Sequence, residues 1–200
     1  VNQRRDARRN RARLIAAAAE VFREDGAGAP LDRVAQRADV GRGTLYRHFP
    51  DRGALIAAVL EMRMDALERY AATYAGDDLV EHLLVAICRL QLDAPGLFTA
   101  VRATAEPQAT LEAVVVQAQA LLSGALDRAS RAHAVRDDVT LADVLLAIAM
   151  FDGVISLQSQ VPGDEPVERA LTIVLRGCAA ANAPSCLSRT PPCTCRPPSN

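Results

Sequence analysis

The residues whose types and spacing suggest chemistry lie in one short stretch, LDRVAQRADVGRGTLYRHF, residues 31–49. Arg42, Thr44, Tyr46, Arg47 and His48 crowd hydrogen-bond donors into seven positions, and Gly43 leaves a gap among them where a backbone can approach closely. The chemistry that suits such a strip is recognition of double-stranded DNA through the major groove. Arginine pairs bidentately with guanine O6 and N7, and threonine bonds a base or phosphate while touching a thymine methyl. Tyrosine and histidine reach phosphate oxygens, which fix register without reading sequence. Arg52 opens the next helical stretch, where the positive helix end adds to the attraction for a phosphate. Catalytic motifs are missing: there is no phosphate loop, no dinucleotide fingerprint, no HExxH and no GxSxG. Cys193 and Cys195 with Cys186 lack zinc spacing. We expect no catalytic residue, no metal, no cofactor and no enzyme.

For these donors to face one way, two short helices must meet at a tight turn. Leu31 to Ala38 carries a buried stripe of Leu31, Val34, Ala35 and Ala38, with Pro30 at its start, where a missing N–H costs nothing. A three-residue turn, Asp39-Val40-Gly41, leads to a second helix from Arg42 to Phe49, stopped by Pro50. This is a helix-turn-helix pattern. Ala35 is small where the helices touch, and Val34, Ala38, Val40 and Leu45 seal the corner. With Gly41 as N-cap, Val40 and Leu45 take the spacing of a hydrophobic staple. A preceding helix, Asp6 to Asp25, buries Leu14, Ala18, Val21 and Phe22 and ends at Gly26 and Gly28. Asp51 caps a long following helix reaching about Ala75, with Leu55, Val59, Met62 and Leu67 inward.

The rest of the chain keeps the helical period, which predicts an all-α fold. Further helices are expected over Asp78–Leu92, over Leu97–Thr104, from Pro107 to near His133, and within 139–160 and 165–181, nine segments in all. Residues 1–52 read as a DNA-binding domain, 53–182 as a helical body and 183–200, rich in Pro, Ser and Cys, as a disordered tail. Charge follows the same division. Residues 1–52 hold 12 Arg against 7 acids, and residues 53–200 hold 11 Arg against 17, a basic head on an acidic body. The absence of lysine reads as genome composition. Arg4, Arg5, Arg8, Arg9, Arg11 and Arg13, against Asp6 alone, form an arm that either enters a narrow minor groove or is simply solvated. No apolar run approaches the roughly 20 residues that span a bilayer, and no charged-then-apolar leader is present. Cys88 and Cys178 sit in apolar helical patterns as small hydrophobes. A cytoplasmic location suits such thiols better than a disulfide framework.

The stretch GRGTLYRHFPDRGAL, residues 41–55, with VAQRADV, residues 34–40, resembles the TetR family of bacterial regulators. The resemblance is carried by residues 10–60; over 77–182 it rests on helix number and order. It implies an N-terminal three-helix head joined by a long helix to a ligand-binding and dimerisation domain. It also implies that Arg42, Gly43 and Thr44 face bases, that Tyr46, His48 and Arg52 clamp phosphates, and that Leu45 and Phe49 are core. Two positions depart from the family. Asp39 stands where the turn usually has Gly, and aspartate tolerates a left-handed backbone better than most residues. Gly41 stands where Ser or Thr often caps. Asp32 lies near the expected DNA face, where it either favours its helix N-terminus or repels phosphate.

In the body, the helix within 139–160 is apolar nearly all round. One face has Leu141, Val144, Leu145, Ile148, Phe151 and Ile155, another Leu146, Met150, Gly153 and Leu157. The helix within 165–181 is similar, with Ile173, Gly177 and Ala181 on its second face. Both are expected to pair with their copies in a homodimer. By the resemblance an effector cavity lies in the body, with Phe98, Arg102, Gln117, Met150, Phe151 and Asp152 as candidate ligand residues. Asp152 in an apolar run needs a partner: Arg102, the dimer edge or a cationic ligand. His82 and His133 read as surface residues. The function expected is a transcription regulator, a repressor released from a palindromic operator by a small molecule. The alternatives are an activator or ligand-independent regulator of the same fold, or a nonspecific DNA-binding protein relying on the arginine arm.

Overall fold

Apolar residues recur every three to four positions between Gly- and Pro-containing breaks, and the chain answers with helices. The computed structural model describes residues 2–93, 109–157 and 166–179. Among them are eight α-helices: α1 (Asn2–Asp25), α2 (Leu31–Arg37), α3 (Arg42–His48), α4 (Arg52–Thr73), α5 (Leu79–Asp93), α6 (Ala109–Arg131), α7 (Leu141–Leu157) and α8 (Pro166–Cys178). The expected helix over Leu97–Thr104 and the tail 183–200 lie outside the described residues. No helix among those described is long and apolar enough to cross a membrane. The fold is all-α, with an N-terminal helix-turn-helix followed by a helical body. Two compact units are present, one built on residues 1–65 and 91–116, the other on 66–90 and 117–200.

In the first unit α1 packs against both α2 and α3, which also pack on each other. The seam is apolar: Leu14, Ala18, Val21 and Phe22 of α1, Val34 and Ala35 of α2, Leu45 of α3 and Phe49 after it are all buried. Ion pairs flank the α1–α2 seam. Arg37 bonds Glu20 at 3.0 Å and Glu24 at 2.7 Å, and Arg33 pairs with Asp25. The Arg37 hydrogen bond holds the Glu24 carboxyl below its usual range and raises the guanidinium in turn. Asp51 caps α4 by accepting from the Ala54 amide at 2.7 Å.

One expectation changes here. α1 begins at Asn2, so Arg4 to Arg13 belong to its first turns and not to an irregular arm. Arg4, Arg5, Arg8, Arg9, Arg11 and Arg13 are exposed along it. A helix with side chains is about 10–12 Å across, too wide for a minor groove of about 6 Å. The helix itself is therefore excluded from a minor groove, which leaves only its exposed arginine side chains to reach toward DNA.

The second unit is held by Leu83, Leu84, Ile87 and Cys88 of α5, Leu122, Leu126 and Ala129 of α6, Val144 and Phe151 of α7, and Leu171 and Leu175 of α8, all buried. α7 packs on α8. A reciprocal cap starts α7: the Thr140 amide and hydroxyl donate to Asp143 at 2.8 and 2.6 Å, and the Asp143 amide donates back to the Thr140 hydroxyl at 3.3 Å. These bonds hold the Asp143 carboxyl below its usual range. α6 ends on His133, whose φ of 52° lets the Ala134 amide reach the Ala129 carbonyl at 2.9 Å. The chain then bridges to the end of α8, Val135 against Ala179, with the Arg136 amide on the Cys178 carbonyl at 3.0 Å. Cys88 is fully buried, and burial pushes its thiol up to about 12.

Candidate nucleic-acid interface

The site is built on a turn. α2 closes with a Schellman arrangement: the Val40 amide donates to the Ala35 carbonyl and the Asp39 amide to the Gln36 carbonyl, each at 3.0 Å. That geometry requires a left-handed residue at position 39, and Asp39 adopts it with φ 51°. Its carboxylate points to solvent and pairs with Arg13 at 3.1 Å. Gly41 then caps α3 with extended backbone, its carbonyl accepting from the Thr44 and Leu45 amides. The turn thereby fixes the direction of α3.

α3 divides cleanly into an inner and an outer face. Leu45 is 1% exposed and Phe49, just past the helix, 2%. Arg11 lies over the Phe49 ring at 5.2 Å and closes the corner from α1. Arg42, Gly43, Tyr46 and Arg47 are exposed, and Thr44 and His48 half-buried. Positions 42 and 46, and 43 and 47, stand one helical turn apart, so the exposed groups form one strip. Open space surrounds Gly43 where a side chain would be. Six of the seven expected DNA contacts therefore lie on α3 with the core residues turned the other way.

The seventh, Arg52, opens α4. The Arg52 Nη1 donates to the carbonyls of Ala27 and Ala29, both at 2.6 Å, in a part-buried position. It ties the loop between α1 and α2 to the start of α4. Through Nη1, Arg52 helps to hold the head together.

Sequence reasoning left Asp32 undecided, and the structure gives it a partner. Its carboxylate lies 2.5 Å from the Arg42 Nε, both side chains remaining largely exposed. Sequence reasoning also misplaced His82. It is 6% exposed, and Tyr70 and Tyr74 meet its two ring nitrogens at 2.8 and 3.1 Å. The i, i+4 spacing of Tyr70, Tyr74, Asp78 and His82 across the α4–α5 connection was the available signal. His133 is exposed, as expected.

Four of the six candidate ligand residues fall among the described residues. Phe98 and Arg102 lie outside the described residues. Gln117 donates to Glu68 at 2.7 Å. Phe151 is 1% exposed in the core, while Met150 beside it is 56% exposed, because adjacent helical positions point apart. Asp152 is half-buried and engaged by neighbours.

A short helix closed by a left-handed turn, followed by a second helix with an outward strip of donors, defines the helix-turn-helix class of regulators. Residues 14–59 match the family model of bacterial regulatory proteins of the tetR family. The fold matches a TetR transcription regulatory protein from Mycobacterium vanbaalenii, 28% identical, with a TM-score of 0.64 over 89% of this chain and 99% of that one. It also matches a TetR transcriptional regulator from Streptomyces coelicolor, 29% identical, with a TM-score of 0.61 over 86% and 99%. An HTH-type transcriptional regulator of Staphylococcus aureus is 38% identical over 63 residues, 31% of this chain and 34% of the relative. The match thus spans about a third of the length of such curated relatives. The chain is thus similar to TetR-family transcriptional regulators, in sequence over its N-terminal helix-turn-helix and in fold over most of its length.

Proposed function

We propose that this chain is a homodimeric repressor that binds a near-palindromic DNA operator in the cytoplasm and leaves it when a small molecule binds its helical body. The observation that carries the DNA reading is the outward strip of α3: Arg42, Gly43, Tyr46 and Arg47 exposed over a sealed corner of Leu45 and Phe49. In this reading Arg42, Gly43 and Thr44 face base edges, Tyr46, His48 and Arg52 meet phosphates, and Arg47 adds a further donor to the strip.

The dimer reading is supported by apolar surface on α7 and α8. Leu146 is 58% exposed, Met150 56% and Ile173 65%. Leu146, Met150 and Gly153 share one helical face. Open space surrounds the missing side chains of Gly153 and Gly177. Large exposed side chains beside glycines suit a partner helix at close range. The helices within 139–160 and 165–181 are thus the proposed interface. Two heads related by a two-fold axis would read half-sites roughly 34–36 Å apart or somewhat more. For the effector, Phe98, Arg102, Gln117, Met150, Phe151 and Asp152 are the candidate contacts. α4 is one unbroken helix from Arg52 to Thr73, a suitable element to carry a shift from the body to the head.

Selection of bound sequences from a random DNA pool at moderate salt tests this reading. A recovered near-palindrome supports the operator-reading dimer. Binding without an enriched sequence, lost steeply as salt rises, overturns it in favour of nonspecific association.

A further inference from the structure

The ion pair between Asp32 and Arg42 sits where the proposed function has no obvious use for an acid. Asp32 lies in the first turn of α2 and Arg42 is the first residue of α3. A carboxylate on a DNA-facing surface repels phosphates and weakens association with any sequence. Both groups are largely exposed, at 49% and 68%, and an exposed pair adds little to folding stability. The pair must therefore be understood by what it does to the arginine.

Arg42 stands at the positive end of α3, a place that disfavours a cation. Asp32 offsets that field and meets the guanidinium at Nε, 2.5 Å away. Contact at Nε leaves the terminal Nη1 and Nη2 as the edge that can face outward. That edge is the two-donor fork which matches guanine O6 and N7. A lone guanidinium on a flexible stem would pair with any phosphate in reach. Beside a carboxylate the pair is neutral, so a phosphate gains little from it, whereas the two acceptors of guanine still gain two hydrogen bonds. No other pairing in the described head joins α2 to the outer strip of α3 in this way.

We infer that Asp32 is a positioning residue for sequence reading: it holds Arg42 for a guanine edge and away from phosphates, so that each half-site carries one guanine fixed by this pair. The inference rests on the operator reading above and names one base of that operator.

The test compares three full-length proteins, the parent, Asp32→Asn and Arg42→Ala, by selection from the same random DNA pool. It adds titration of each with a fixed non-operator duplex across a salt series. In the parent one position per half-site favours guanine by about tenfold or more, and Arg42→Ala loses that preference. Asp32→Asn keeps its melting temperature and the rest of its selected sequence. Its guanine preference falls to about threefold or less, and it binds the non-operator duplex more tightly, with a log–log salt slope steeper by about 1. Asp32→Glu, which keeps the charge, retains the guanine. An Asp32→Asn protein with the parent's guanine preference and salt slope overturns the positioning role and leaves the operator reading intact. A parent protein that enriches no sequence overturns both.

Discussion

Asp39 shows how far one residue depends on its neighbours. Its φ of 51° is set by the Schellman closure of α2, not by its own preference. A β-branched residue there meets steric strain that aspartate avoids. Asp39→Val should lose about 1–2 kcal/mol in chemical denaturation. Asp39→Gly should remain within about 0.5 kcal/mol, since it gains backbone freedom and loses only an exposed pair with Arg13. The outer strip of α3 makes a different prediction. Arg42→Ala should weaken operator binding by about 1–3 kcal/mol and relax one base position, with melting unchanged. If Arg42→Ala and Tyr46→Phe both bind the operator like the parent, α3 is not the reading helix. At this scale the sequence was informative where periodicity decides, as for Leu45 inward and Arg42 outward. It was silent on Arg52, because no local pattern announces that two carbonyls from residues 27 and 29 will stand within reach of its guanidinium.

Where α4 gives way to α5, side chains four residues apart assemble a polar chain. Tyr74 donates its single proton to Asp78 at 2.6 Å, so its oxygen is left to accept from the His82 Nε2–H. The Nδ1 of His82 then accepts from Tyr70. Burial, helped by the charge of Asp78, raises the Tyr70 hydroxyl, which keeps its proton in neutral solution. Burial also pushes Asp78 upward, but the Tyr74 hydroxyl, the turn's own amide and His82 together bring it below the usual carboxylate range. A lowered folded value means that stability from Asp78 is complete above the ordinary carboxylate range. It is lost as pH falls through the lowered value. Asp78→Asn should therefore be less stable than the parent at pH 7, by about 1 kcal/mol, and the gap should narrow as pH falls below the ordinary carboxylate range. A gap that is constant with pH would sink this account. Gly76 lies beneath the same chain: a methyl there would stand 2.6 Å from Asp78 Oδ1 and 2.7 Å from the Tyr74 ring. Gly76→Ala should cost about 1–3 kcal/mol by overpacking. Arg128 braces the connection by donating to the carbonyl of Tyr74 at 3.1 Å and to that of Gly76. Helix limits here were legible from Gly76 and the aspartates. The burial of His82 had only the i, i+4 spacing of Tyr70, Tyr74, Asp78 and His82 as its signal, because it depends on rings delivered from the end of α4.

Across the whole molecule, the head was legible and the body much less so. The head's signal is dense, since the turn, the cap and the seal all fall within residues 31–55. The body's helices are apolar on more than one face, and the sequence alone does not say which face meets its own core. The structure separates them, Phe151 inward and Leu146 with Met150 outward. Gly153→Arg should give monomers in light scattering with helix content preserved, because space around that position is open in the single chain. A dimer that survives this change would place the interface elsewhere. The burial of Cys88 has a use of its own. A thiol at about 12, shut inside α5, presents almost no thiolate to solvent at neutral pH. An alkylating reagent can reach it only when the surrounding helices part. The rate at which Cys88 acquires label, followed peptide by peptide, is therefore a clock for the breathing of the second unit, already installed in the native chain.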